Sequence, residues 1–362
     1  RKILAGHASA PTAGHLSGGF GNVTDGPMIF VVGMSRSGTT LVGRILGTDD
    51  TVHTFEELHF FENIALSDDI KNQRPIDREQ AIGVAVRLLT SAAGNFFHEP
   101  DYVKWEKTAS EIVDRLKSTP TLGSVYLATL KWYTLSKGRS VICEQTPRYI
   151  FCVKEIMDLV PHAKFINLIR DPRDVMLSQK NKWRTYKHGT WSMPFGEAVR
   201  VWANYSPIVQ ALMWRSCIKC SDQLSGESKF LNVRFEDLLN NPETEIRRMC
   251  KHAELKFSKQ MLTADKIGSS ITPDEKGARG IDSTFTERWK QGGISNREIL
   301  ICEMLCGEQM ADHGYLPHNL KYPKLAILAS LPELVLKGSI MVFLNRNRSK
   351  SLLNFLRNRL GF

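Results

Sequence analysis

The chain has 362 residues, enough for one large α/β domain or two smaller ones, and its 42% hydrophobic and 24% charged content excludes a disordered or fibrous protein. A formal net charge of +10 favours anionic ligands. Neither zinc-finger spacing nor an RNA-recognition signature is found, so no nucleic-acid partner is expected.

Residues 1–26, rich in Gly, Ala, Ser and Thr, read as a flexible N-terminal segment. Met28–Val32 is a short β-branched apolar run and predicts a buried strand. Gly33–Gly38 is a loop, and Leu41, Ile45 and Leu46 predict a helix from Thr39. Strand, glycine-bounded loop and helix N-terminus together make an anion cradle, because backbone N–H groups and the helix dipole converge on it. The spacing is that of the nucleotide phosphate loop G-x-x-x-x-G-K-[ST], except that Thr39 stands where the lysine belongs. Without that counter-charge for β- and γ-phosphates, a kinase-like nucleotide enzyme is the weaker reading. Arg36 and the hydroxyls of Ser35, Ser37, Thr39 and Thr40 suit a single 5′-phosphate carrying another anionic group.

Glu56 and Glu57 follow the loop helix, with His53 and His59 on either side. Residues 60–137 form a helical insertion, in which Ala81, Val84, Ala85, Leu88 and Leu89 share one face, as do Ile112, Val113 and Leu116. Ser140–Cys143 predicts a third strand ahead of Glu144-Gln145-Thr146-Pro147, and Phe165–Ile169 another. Arg170 closes that strand, Asp171-Pro172 turns the chain, and Ser178 lies about two turns into the following helix. Ligands of open α/β sheets bind at strand carboxyl ends, so Arg170 is expected to face the same crevice as the first loop. Helices are expected at Gly196–Met213 and Ser295–His313, a strand with a turn into a helix at Phe230–Leu239, and a lid in the Gly- and Ser-rich stretch 258–280.

The expected fold is thus α/β, a P-loop-like parallel sheet flanked by helices, over residues 27–320. Residues 321–362 form a basic helical tail. Its apolar part, Leu325–Leu344, is interrupted by Pro332, Glu333 and Lys337, so it reads as a packed or dimerising segment, with contact to a membrane surface as the alternative. The seven cysteines are scattered and odd in number, which argues against a disulfide framework; Cys217 and Cys220 read as neighbours on one helix, and no metal site is expected.

The segment S-R-S-G-T-T-L at Ser35–Leu41 resembles the 5′-phosphosulfate loop of sulfotransferases that use 3′-phosphoadenosine 5′-phosphosulfate (PAPS), in the branch containing bacterial and tyrosylprotein sulfotransferases. R-D-P-R-D…S resembles the family's 3′-phosphate motif, which implies that Arg170 and Ser178 hold that phosphate. Phe230–Leu239 resembles V-R-Y-E-D-L with Phe235 in place of tyrosine, and Arg288-Trp289-Lys290 resembles the R-W-[RK] of a cofactor-covering loop. The resemblance implies metal-free sulfuryl transfer from PAPS to an acceptor hydroxyl (glycan, lipid, small metabolite or tyrosine), leaving 3′-phosphoadenosine 5′-phosphate (PAP). A module that binds PAPS or PAP without catalysis is the alternative. The resemblance carries the role of general base onto Glu57, with His53, His59 and Glu144 as rivals, and a raised carboxyl pKa is expected from Phe55, Leu58, Phe60 and Phe61. Relatives often read K-[TSD]-P where this chain has Gln145, so Arg148, Lys182 and Lys290 are candidate replacements for that lysine at the transferring group. A cytoplasmic location is expected, or the Golgi lumen if an N-terminal anchor has been removed.

Overall fold

The computed structural model describes residues 27–64, 73–94, 99–184, 195–265 and 279–318, together with residues 320, 337, 339 and 340. The N-terminal segment, nearly all of the tail and most of the expected lid lie outside the described residues. Five strands, β1 (Met28–Gly33), β2 (Val52–Phe55), β3 (Val141–Gln145), β4 (Lys164–Ile169) and β5 (Phe230–Arg234), pair in the order β2-β3-β1-β4-β5. All four pairings are parallel, as the sequence predicts for the class.

Every residue of the central strand β1 is buried, which is why it reads as a continuous apolar run. Its side chains still alternate: Phe30 and Val32 enter the core on one face, Ile29 and Val31 the core on the other. The first face is covered by the insertion helices α3 (Arg78–Ala93), α4 (Tyr102–Asp114) and α5 (Leu122–Ser136), which follow the one-turn α2 (Phe60–Asn63). Asp77, Asp101 and a Thr121–Ser124 capping box start the three long helices by accepting their first free backbone N–H groups. The second face is covered by α1 (Thr39–Leu46) and, further along the chain, by Pro242–His252.

Three sequence expectations are corrected. β2 was not expected; its two middle residues, His53 and Thr54, are polar, and it pairs only with β3, so it lacks the apolar run of a central strand. Glu56 and Glu57 therefore sit in the turn after a strand and not on a helix. The single helix expected at Gly196–Met213 is two helices, Phe195–Ala203 and Pro207–Leu224, because Ser206 is extended and Pro207 can only open a helix. β3 runs two residues further than expected and takes Glu144 and Gln145 into the sheet.

Pro172–Lys180 forms the helix after β4, and Phe235–Asn240 the one after β5. The helix Asn296–Asp312 begins at the Ser295–Glu298 capping box. All seven cysteines are free. No helix among the described residues is long and apolar enough to cross a membrane.

Candidate active site

The parallel register brings the carboxyl ends of the strands to one edge of the sheet, where Gly33 of β1 lies beside Leu168 of β4 and Val31 beside Gln145 of β3. One cleft runs along that edge. Ser35, Arg36, Gly38, Thr39 and Thr40 line it from the first loop, Glu57 from the turn after β2, and Arg170, Asp174, Ser178 and Lys182 from the segment after β4. Phe235 and Leu239 close one side, and Gly280–Asp282, Phe285 and Arg288 another.

The loop depends on Gly38, which has φ of +99° as the residue before α1. A Cβ there would collide with the Phe235 ring, so glycine is demanded twice, by backbone and by space. Arg36 also lies at positive φ and donates from Nε to Ser178 Oγ at 3.0 Å, joining the two motifs. Arg170 donates to the Arg36 carbonyl at 3.0 Å and to the Phe285 carbonyl at 2.9 Å, and lies 4.4 Å above the Phe235 ring. Phe235 thus supplies a face for the guanidinium where the family's tyrosine would bring a hydroxyl.

Burial lowers the pKa of both arginines, and for Arg36 the charge of Arg170 lowers it further. Guanidinium groups do not give up their protons in proteins, so the cost appears as two desolvated cations held close together. Arg170 Nε is buried without a hydrogen-bond partner. Paired cations and an orphaned donor are what a doubly anionic ligand satisfies. Burial raises the Asp174 carboxyl to about 6 although the Arg170 charge opposes it.

The support around Arg170 is extensive. Trp214 Nε1 donates to its carbonyl at 2.9 Å. The next N–H, of Asp171, goes to Glu236, whose other oxygen accepts from Tyr315. Arg173 pairs with Asp171 and Glu303 and stacks 4.0 Å from the Trp289 ring.

The carboxylate candidates separate clearly. Glu57 lines the cleft, and 42% of its side chain is exposed. Burial raises its carboxyl, but the His59 hydrogen bond and the charges of His59, Lys182 and Arg36 bring it net below the usual carboxylate range. The raised pKa expected from its aromatic neighbours is therefore not found, because three cations outweigh them. Glu144 is fully buried under hydroxyls of Tyr126, Tyr149 and Thr146, and burial pushes it up to about 7. His53 packs edge-on against Phe55, and burial lowers it to about 4, so it is neutral and outside the cleft lining. His59 has a carboxylate on each ring nitrogen, Glu57 at 3.0 Å and Glu62 at 3.2 Å. Burial lowers its pKa, but these two bonds raise it to about 10, so it is already protonated at neutrality.

Four residues expected in the site are placed elsewhere. Ser37 is buried beneath the loop with its N–H bonded to Met34. Gln145 is buried against Gly43 of α1 and does not reach the cleft lining. Trp289 is buried, its backbone N–H donating to Asp174 and its ring under Arg173, so it supports the cleft from behind. Lys290 points outward and pairs with Glu287 at 2.6 Å. Of the cations suggested to replace the missing lysine, Arg148 pairs with Glu62 at 3.0 Å, and Lys182 lines the cleft. Asp174 and Phe285 went unassigned in the sequence; Asp174 stands inside R-D-P-R-D, whereas nothing in the sequence marks Phe285.

The fold and site define an α/β protein with a parallel sheet and a lysine-free loop of phosphate-loop spacing, faced by a second arginine. A model described as "Sulfotransferase family" matches residues 27–259, and the chain belongs to that family. It is similar to an omega-hydroxy-beta-dihydromenaquinone-9 sulfotransferase of Mycobacterium tuberculosis, 26% identical over 63% of this chain and 63% of that protein. It also resembles carbohydrate sulfotransferase 1 of Mus musculus, 24% identical over 83% of each chain. The chain thus spans less than two thirds of the length of the mycobacterial relative. A solved sulfotransferase domain from the curacin biosynthetic pathway matches 78% of this chain and 97% of its own at 15% identity and a TM-score of 0.46.

Proposed function

We propose that this protein transfers the sulfuryl group of PAPS to an acceptor hydroxyl, with Glu57 as the general base. The observation that carries the reading is the Arg36–Ser178 bond with Arg170 on the Arg36 carbonyl, which ties the two phosphate motifs into one anion site. The first loop suits the 5′-phosphosulfate; Arg170 and Ser178 suit the 3′-phosphate. The reaction forms a bond from the acceptor oxygen to sulfur, breaks the bond from sulfur to the 5′-phosphate oxygen, and moves the hydroxyl proton to Glu57. Lys182, in the cleft beside Glu57, is the cation suited to the charge that develops on the leaving phosphate. Glu57 is favoured as base because it alone among the rivals named above combines an ionised carboxylate with access to the cleft.

Thermal unfolding with nucleotides tests the donor. PAP at a hundred times its dissociation constant is expected to stabilise the fold by about 2.7 kcal/mol, and ATP with magnesium far less. Equal stabilisation by ATP, indifferent to the 3′-phosphate, contradicts the assignment.

Arg170→Ala is expected to weaken PAP by roughly 1.5–3 kcal/mol, or about one to two decades in affinity. Adenosine 5′-phosphate, which lacks the 3′-phosphate, should lose much less. Calorimetry on both ligands checks this; equal losses would mean that Arg170 does not read the 3′-phosphate.

A further inference from the structure

We propose that His59 is a positioning residue for the Glu57 base, the middle member of a charge chain Glu57–His59–Glu62–Arg148 that fixes the direction of the base carboxylate. This rests on the reading of Glu57 as base. The members are in contact: His59 Nε2 lies 3.0 Å from Glu57 Oε2, His59 Nδ1 3.2 Å from Glu62 Oε1, and Arg148 Nε 3.0 Å from Glu62 Oε2, the last as an ion pair without a hydrogen bond from Nε. Both ring nitrogens face carboxylate oxygens, so both must carry protons, and the ring is a two-sided donor with one allowed orientation.

The backbone is built to present that ring. His59 adopts φ of +51°, uncommon for a residue with a side chain. The flanking N–H groups are pinned, Leu58 to Thr146 Oγ1 at 3.2 Å and Phe60 to the Tyr149 hydroxyl at 2.8 Å. Thr146 and Tyr149 in turn donate to the buried Glu144, which fixes which way each hydroxyl points. The core carboxylate therefore sets the turn, the turn sets His59, and His59 sets Glu57.

The chain also sets charge. Glu57 is faced by His59 on its own turn, by Arg36 from the first loop, by Lys182 from the segment after β4, and by the like charge of Glu56. His59 is faced by Glu57 and Glu62, with Glu144 behind it. Of the cations on Glu57, His59 is the one that hydrogen-bonds it. An imidazolium that never loses its proton near neutrality keeps the carboxylate ionised well into acid, so the base stays competent there.

The test measures kcat/KM against pH for wild type, His59→Asn, His59→Arg and Glu57→Gln with one hydroxyl acceptor, beside histidine-selective NMR. In His59→Asn the acid limb is expected to move up by about one pH unit or more, with PAP affinity unchanged, and His59→Arg should bring it back. By NMR, the resonance that disappears in both His59→Asn and His59→Arg should remain imidazolium past pH 8 in the wild type and titrate at or below about 6.5 in Glu57→Gln/Glu62→Gln, because burial lowers it once the carboxylates are gone. Full turnover in Glu57→Gln overturns the base reading. Loss of turnover there with an unmoved acid limb in His59→Asn overturns this proposal alone. If His59→Asn fails to fold, the wild-type titration of the resonance assigned through His59→Arg decides: protonation lost at or below about 6.5 overturns the charge chain, and protonation kept past 8 supports it.

Discussion

Glu57→Gln is expected to lower turnover by roughly 10²–10⁴ while leaving PAP affinity nearly unchanged, since a positioned general base contributes about that much. The substitution keeps the shape and a hydrogen bond to His59 but cannot take up the acceptor proton. Two controls give the result its meaning. Glu56→Gln should be nearly silent, because Glu56 is exposed and does not line the cleft. Glu144→Gln should act on stability and on the geometry of the turn, because that carboxyl is fully buried and has no path to an acceptor. Steady-state kinetics and a PAP dissociation constant for the three variants check this. Full activity in Glu57→Gln would transfer the role to whichever variant fails.

Gly38→Ala is expected to destabilise the fold by about 2–5 kcal/mol, combining roughly 1–2 for an L-residue at positive φ and about 1–3 for overpacking against Phe235. The Arg170 guanidinium also packs on the Phe235 ring, 4.4 Å from its centre, which limits the room the ring has to retreat. Urea unfolding measures the loss, and the shift in midpoint should come without a change in slope. Adding Phe235→Leu should recover part of the packing cost and none of the backbone cost. Wild-type stability in Gly38→Ala would mean that the loop can rearrange, and that its geometry is not fixed by this contact.

What the sequence made legible follows from how local each signal is. The first loop and the segment after β4 each carry strand, turn and helix start within one short run, so both phosphate motifs could be read directly. Their meeting, as Arg36 on Ser178, follows from the adjacency of β1 and β4. β2 was hidden because an edge strand with His53 and Thr54 at its centre has no apolar signature. Trp289 and Lys290 follow the cleft residue Arg288 in sequence but face elsewhere, and Gln145, at the end of β3, is turned against α1. The rivalry between Glu57 and His59 could not be resolved from their spacing, because the deciding partners, Glu62 and Arg148, meet only in the folded chain.

The adjacency of Arg36 and Arg170 bears on how long the protein itself survives. Two desolvated cations share one place; Glu57 offsets the charge of Arg36, and Asp174, Glu236 and Asp171 that of Arg170, only in part, and an anion between them relieves the rest. The empty state is then the weakest form of the fold, and occupancy and folding rise together. Where breakdown proceeds through the opened chain, the abundance of this protein should follow the supply of its nucleotide, falling when that supply is exhausted even if synthesis is constant.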